Sequence, residues 1–350
     1  MTEPTEPDWP TGGARSGRTV RWGLIGTGGI AAAFADDLRL LPDAEVVAVG
    51  SRALAPARVF ADRFGARSAH GSYADLVGNP DVDAVYVATP HPGHHAAARL
   101  ALEAGKAVLC EKPFMMTAAE ADDVVALARQ RGLFLMEAMW TRFLPHMTRI
   151  RQILDAGALG RVVSVQADHG QWFELDPRHR LFAPELGGGA LLDLGVYPIS
   201  FASWVLGSPQ TITSVSDRAG TGVDGQTSVL AQYPDGAHAV LTTTLWAAGP
   251  NRAAIVGTEA RIEIDPTWYR PNSFTVLSRD DDVIERYDEP QVGNGLRFEA
   301  AEVGRCLRAG LTQSPGMPLD ESRSIMATMD EVRRQIGLSY PGEVTPAVAG

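Results

Sequence analysis

Over the first 140 positions, apolar residues fall into short continuous runs, and the segments between them repeat at helical spacing. Residues 20–25, 45–50, 84–88, 107–110 and 134–138 are runs of the length expected of strands buried on both faces. Residues 53–64, 94–104 and 118–131 carry apolar positions three and four apart and read as helices. Strand and helix alternate, which predicts a parallel sheet with right-handed crossovers. Ligands of such sheets bind beyond the carboxyl ends of the strands.

The pattern changes in the second half. After a helical stretch at 145–156 the chain alternates with period two. Within 161–168, Val163, Val165 and Ala167 take one face, and Ser164, Gln166 and Asp168 the other. Residues 226–233 and 237–245 flank Pro234-Asp235-Gly236, a hairpin signal, and further strands are expected at 255–256, 261–264 and 274–278. Helical patterns at 296–309 and 319–336 follow. The fold class expected is α/β: an N-terminal doubly wound Rossmann sheet, then an α+β domain with an open, mostly antiparallel sheet. Residues 1–18 read as a disordered leader, 19–140 as the nucleotide domain and 141–350 as a substrate and oligomerisation domain whose last helices pack back on the first.

Composition narrows the function classes. The chain has 350 residues, 45% hydrophobic and 21% charged, with a formal net charge of −11. That balance argues against a nucleic-acid or anionic-membrane partner. No apolar run reads as long enough to span a bilayer. The acidic, Pro-rich start Met1-Thr2-Glu3-Pro4 lacks the apolar core of a signal peptide. Cys110 and Cys306 fall in apolar patterns and read as reduced buried thiols, which makes the cytoplasm the expected compartment.

The strand at 20–25 runs directly into Gly26-x-Gly28-x-x-Ala31 and then an Ala-rich helix, the dinucleotide fingerprint in its required context. Gly26 permits the tight turn, Gly28 removes a Cβ from the path of a pyrophosphate, and the helix N-terminus offers unpaired N–H groups. Gly26, Thr27, Gly28, Gly29 and Ile30 are assigned to the nucleotide. At the end of the second strand, Ser51-Arg52 stands where an NAD-selective site carries a carboxylate for the ribose 2′-OH. A hydroxyl and a guanidinium suit a 2′-phosphate, so NADP is expected over NAD. The alternative is that Arg52 is a solvated loop residue. Thr89, Pro90, His91 and His94 follow the third strand at the same edge.

Two segments carry candidate proton chemistry. Glu111-Lys112-Pro113 ends a buried strand at the ligand edge, and Lys112 there polarises a substrate hydroxyl if burial lowers its pKa. Glu111 and Lys112 also count toward the cofactor set. In Gly187-Gly188-Gly189-Ala190-Leu191-Leu192-Asp193-Leu194-Gly195-Val196-Tyr197, Asp193 and Tyr197 are four apart on one helical face. Aimed at Lys112, they make a proton-transfer group in which the ammonium lowers the phenol pKa. Otherwise Asp193 pairs locally and Tyr197 is core. His91, His94 and His95 have zinc-like spacing, but no Cys or second carboxylate completes a set, so no metal is expected and His94 is assigned to the cleft. Trp140 and Arg142 suit a hydroxylated or aromatic substrate, or else interdomain packing. His169, Trp172, Phe173 and His179 form a further polar-aromatic group, from which Trp172 and Phe173 are kept as substrate candidates.

The order of Gly26-x-Gly28-x-x-Ala31, Thr89-Pro90-His91-x-x-His94, Glu111-Lys112-Pro113 and Gly187-Gly188-Gly189…Asp193-x-Gly195-x-Tyr197 resembles the glucose–fructose oxidoreductase/inositol dehydrogenase family. Glu137-Ala138-Met139-Trp140-Thr141-Arg142-Phe143 and the Tyr at 197 look like its dimeric dihydrodiol dehydrogenase and NADP-dependent D-xylose dehydrogenase branch. The resemblance implies NADP, a sugar or cyclic diol as substrate, Lys112 and Tyr197 as the catalytic pair, and a homo-oligomer, dimer or tetramer, built through the open sheet. The family's usual Asn after Thr-Pro is His91 here.

Overall fold

The computed structural model describes residues 19–343 apart from 289 and 291; the expected leader at 1–18 lies outside the described residues. The strands β1 (Val20–Ile25), β2 (Ala44–Gly50), β3 (Ser68–His70), β4 (Ala84–Val87), β5 (Ala107–Glu111) and β6 (Leu135–Ala138) form one parallel sheet in the order 3-2-1-4-5-6. The reversal of strand order falls between β1 and β4, where a doubly wound sheet opens its ligand crevice. Helices α1 (Gly29–Leu38), α2 (Leu54–Phe64), α3 (Tyr73–Val77), α4 (His94–Glu103) and α5 (Ala118–Arg131) connect the strands. Their ends follow local chemistry: Thr117 Oγ1 accepts the Glu120 N–H at the start of α5, and left-handed Gly132 ends it.

After α6 (Pro145–Asp155), a mixed sheet of eight strands runs 14-13-12-11-7-10-9-8. It comprises β7 (Val162–Gly170), β8 (Thr211–Arg218), β9 (Asp224–Gln232), β10 (His238–Thr244), β11 (Ala253–Gly257), β12 (Ala260–Ile264), β13 (Phe274–Ser278) and β14 (Val283–Tyr287). Only β7 and β10 pair in parallel. Along β10, Ala239, Leu241 and Thr243 are buried while His238, Val240 and Thr242 are exposed, so one face meets the core and the other is open. The core face is covered by α7 (Val196–Leu206), which packs on β7 and β10.

Pro184–Leu206 is, by length and apolar composition, sufficient to cross a membrane, contrary to the sequence expectation. Its most apolar stretch is 78% buried inside the protein, where α7 packs on β7, β10 and the helix Leu319–Ile336, which accounts for its apolar character.

The last helices tie the halves together. Helix α8 (Arg297–Arg308) packs on α1 and β2, and α9 (Leu319–Ile336) on α5, β6, α7 and β8. Asp330 accepts the Ala118 N–H at the start of α5, Arg333 donates to the Met116 carbonyl, and Tyr340 donates from its hydroxyl to the Gly188 carbonyl. Both cysteines are free and buried.

Candidate active site

The Lys112 turn is set by buried carboxylates. Glu111 ends β5 with one oxygen accepting the Tyr86 hydroxyl and the other the Lys112 N–H at 3.2 Å. Glu137, on β6, accepts the Phe114 N–H at 3.1 Å, and the Lys112–Pro113 peptide between them is cis. Lys112 thereby leaves the sheet edge toward the second domain. Its Nζ donates to the Asp193 carbonyl at 2.8 Å, lies 3.4 Å from Asp193 Oδ1 and stands 4.7 Å above the Tyr197 ring centre.

Asp193 and Tyr197 reach that point from a distorted helix start. Leu191–Gly195 is a π-type turn, so the spacing is wider than the regular i,i+4 face expected; such turns occur at functional sites. Asp224 accepts the Leu191 N–H at 2.8 Å and anchors the turn. A Cβ on Gly189, whose φ is +118°, would stand 2.2 Å from Asp224 Oδ1, which explains a glycine there.

Around the Lys112–Asp193–Tyr197 centre, the Trp140 indole N–H donates to Tyr197 Oη at 2.8 Å. His169 stacks on Tyr269 at 3.8 Å and meets the Tyr197 ring edge-on at 5.0 Å. His91 Nε2 lies 3.5 Å from Asp193 Oδ1, and Arg180 grips both Asp193 oxygens at 2.9 and 3.2 Å. The sequence reading missed Arg180 and Tyr269. Both lie on irregular segments without periodicity; Arg180 directly follows His179 of the polar-aromatic group, and Tyr269 neighbours no motif.

The electrostatics differ from the expectation. Burial is the largest influence on Lys112 and lowers its pKa, but Asp193, Tyr197 and Glu111 together outweigh it, and the net shift is upward. Burial also acts most strongly on Tyr197 and raises its pKa, against a smaller lowering by Lys112. The phenol is therefore the neutral, proton-donating form at pH 7. For Asp193, burial favours the acid, yet Lys112, His91 and Arg180 hold the carboxyl well below its ordinary range. Asp193 is thus a carboxylate that anchors Lys112.

Several expected ligand contacts are corrected. His94 is fully buried, with ring nitrogens 2.9 Å from the Pro113 carbonyl and 3.0 Å from the Thr89 carbonyl; as a neutral imidazole it donates to one of the two, and it does not line the cleft. Arg142 is buried with Nε and Nη2 on Ser200 and Glu321, an interhelical tie, while its Nη1 keeps no hydrogen-bond partner among the described residues. Glu111 is engaged at both oxygens, and His91 also contacts the Gly187 carbonyl at 3.1 Å, so both serve the Lys112–Asp193 cluster rather than a cofactor surface. Trp172 stands 65% exposed and Phe173 is half-buried near His179, on the segment that carries Arg180.

Burial holds His94 neutral, with its pKa lowered to about 4, and likewise His169, lowered to about 3. Unfolded histidine takes up a proton near pH 6.5. The stability that neutral His94 contributes is therefore complete above pH 6.5 and drains as pH falls toward 4, by on the order of 3 kcal/mol, with His169 adding in the same direction. Thermal melts between pH 7.5 and 4.5 should show this loss, and His94→Gln should flatten the slope; an unchanged slope contradicts the assignment.

The glycine turn fits a dinucleotide phosphate. A Cβ on Gly28 or Gly29 would meet nothing within 4 Å, and no side chain caps α1 at Gly28. The first-turn N–H groups thus face an open, exposed space beside Thr27 and Ile30. Ser51, Arg52, Thr89 and Pro90 stand at the carboxyl ends of β2 and β4 on the same side of the sheet, and Arg52 is exposed and makes no ion pair among the described residues.

A family profile described as an oxidoreductase family with an NAD-binding Rossmann fold matches residues 20–139, and one described as the GFO/IDH/MocA C-terminal domain matches 147–263. A trans-1,2-dihydrobenzene-1,2-diol dehydrogenase from Bos taurus is 40% identical over 336 residues, covering 92% of this chain and 98% of its own. The 3-ketoreductase KijD10 from Actinomadura kijaniata, solved with NADP and TDP-benzene, has a TM-score of 0.80 at 29% identity, covering 91% and 98%. Variants of that enzyme at one lysine and at one tyrosine were also solved with both compounds. An aldose-aldose oxidoreductase from Caulobacter crescentus shares the fold, with a TM-score of 0.83 at 24% identity and coverage of 91% and 97%.

Proposed function

The chain belongs to the Gfo/Idh/MocA oxidoreductase family, and from that premise we propose that it is an NADP-dependent oxidoreductase interconverting a secondary alcohol and a carbonyl on a sugar or cyclic diol. One observation carries the reading: Lys112, at the ligand edge of the nucleotide domain, stands over the Tyr197 ring and is anchored by Asp193. A nucleotide sensor needs the glycine turn but not this buried proton-transfer group. The nicotinamide cofactor, when bound, supplies or accepts the hydride. Gly26–Ile30, Ser51, Arg52, Thr89 and Pro90 would hold it.

The protein's own part is proton transfer and placement. Trp140 donates to Tyr197 Oη, which leaves the phenol hydrogen free for the substrate oxygen. The Lys112 ammonium, fixed by Asp193, stabilises negative charge as that oxygen or the phenol gains it. With the phenol neutral at pH 7, it is in the state that donates a proton to a carbonyl oxygen in reduction, and oxidation requires its loss. That same feature favours, as second reading, a keto-sugar reductase, in line with the similarity to a 3-ketoreductase. Phe173 and Trp172 are proposed to flank the substrate. The open sheet face, with its groove lined by Gln166, Thr242, Arg252 and Glu263, is proposed as the surface for a second copy. The two buried thiols fit a reducing cytoplasm.

Fluorescence titration with NADPH and NADH, followed by turnover on aldoses, inositols, cyclic diols and keto-sugars, tests the reading. NADPH should bind more tightly, and Arg52→Ala should weaken NADPH by roughly tenfold or more while leaving NADH unchanged. Equal weakening of both would remove Arg52 from the 2′-phosphate. Absence of binding by either nucleotide would sink the proposal.

A further inference from the structure

Among the described residues, Arg180 is the ion-pair partner of Asp193 that comes from outside the motifs of His91 and Lys112. It lies on the irregular segment between β7 and the three glycines, and its fork takes Oδ1 at 2.9 Å and Oδ2 at 3.2 Å. The other partners do not reach Oδ2: Lys112 holds the main-chain carbonyl at 2.8 Å and lies 3.4 Å from Oδ1, and His91 Nε2 is 3.5 Å from Oδ1. With the fork removed, the carboxylate keeps partners at one oxygen and is free to rotate about its Cβ–Cγ bond. A planar guanidinium fixes the plane of a carboxylate, which a point charge does not. The exposure of the pair is unequal, with the Arg180 side chain 51% accessible and that of Asp193 7%.

We infer that Arg180 is a positioning residue for the reaction: from the solvent side, it fixes the plane of the Asp193 carboxylate, and through it the place of the Lys112 ammonium over Tyr197. The inference rests on the proposed role of Lys112 and Tyr197 in proton transfer. It separates two jobs that the cluster combines. Lys112 and Tyr197 face the substrate, while Arg180 acts only through Asp193. Removing Arg180 therefore lowers the rate of the chemical step and leaves substrate binding nearly intact. The half-open position of the side chain adds a second consequence: a free guanidinium ion can reach the place that Arg180→Ala vacates.

The test uses the full chain with NADPH and its best substrate. In Arg180→Ala, kcat should fall roughly ten- to a hundredfold with KM changed less than about threefold. Guanidinium at tens of millimolar should recover part of the loss. Arg180→Lys, which keeps the charge and loses the fork, should fall between wild type and Arg180→Ala. A readout in the resting protein accompanies the kinetics: the ring 15N resonances of His91, beside the same carboxylate, should shift in Arg180→Ala and return with guanidinium. Wild-type kcat in Arg180→Ala, a loss that guanidinium does not recover, or His91 resonances that do not move would each overturn the inference. Absence of turnover by the wild-type protein would instead overturn the functional reading, and the His91 resonances would still decide the placement of Asp193.

Discussion

Replacement of Lys112 by Met should reduce turnover by about 10³-fold while changing NADP(H) affinity by less than about threefold. Met fills the same space without the charge, so the variant isolates the ammonium. In the native protein that charge is shared between the Asp193 carbonyl and carboxylate and the face of Tyr197. Without it, Asp193 keeps Arg180 and His91, but the growing negative charge on substrate and phenol loses its nearest cation. Burial, no longer opposed by Lys112, then pushes the Tyr197 pKa further up. Steady-state kinetics and a parallel fluorescence titration measure both halves of the expectation. A large loss of nucleotide affinity would place Lys112 in cofactor binding, and near-normal turnover would remove it from the chemistry.

Two glycines in the same turn should fail in opposite ways. Gly26 has φ +109°, and a Cβ there would lie 2.5 Å from the Ala88 carbonyl oxygen, a main-chain atom of the neighbouring loop. Gly26→Ala should cost about 3 kcal/mol or more in stability and lower the melting temperature by several degrees. A Cβ on Gly28 meets nothing. Gly28→Val should therefore melt close to wild type and yet lose nucleotide affinity by on the order of 100-fold, because the branched side chain fills the approach to the uncapped helix terminus. Melting curves and NADPH titration of the two variants check the contrast. If Gly28→Val binds NADPH normally, the phosphate does not sit on this turn.

The strands that pattern alone revealed, β1, β2, β4, β5 and β6 in the first sheet, are mostly buried and apolar, with charged residues such as Glu45, Glu111 and Glu137 as exceptions. The strands it missed are edge strands, β3 in the first sheet and β8 and β14 in the second, while the edge strand β6 was read. β3 has three residues, and β8, with the sequence Thr-Ile-Thr-Ser-Val-Ser-Asp-Arg, is polar on the face that would otherwise announce it. Short, polar edges resist unwanted pairing, and the same property hides them from a hydrophobic-run reading. The site divides similarly. Lys112, Asp193 and Tyr197 were legible because short motifs fix them at strand and helix ends. Arg180 and Tyr269 were not, because loops place them and only the folded chain brings them near. Arg142 looked like a ligand because a cation beside an aromatic at a hinge suits one. Its partners Ser200 and Glu321 are 58 and 179 residues away in sequence.

The contacts of α9 and Tyr340 also order the site in time. The Lys112 turn is followed by a segment that Asp330 and Arg333 hold, and the glycine approach to Asp193 is held by Tyr340. During synthesis the nucleotide domain emerges first, with its glycine turn and parallel sheet complete by Ala138. The Lys112–Asp193–Tyr197 cluster acquires these supports only once Tyr340 has left the ribosome. The nucleotide domain is itself finished late, because α8 packs on its α1 and β2 and α9 on its α5 and β6.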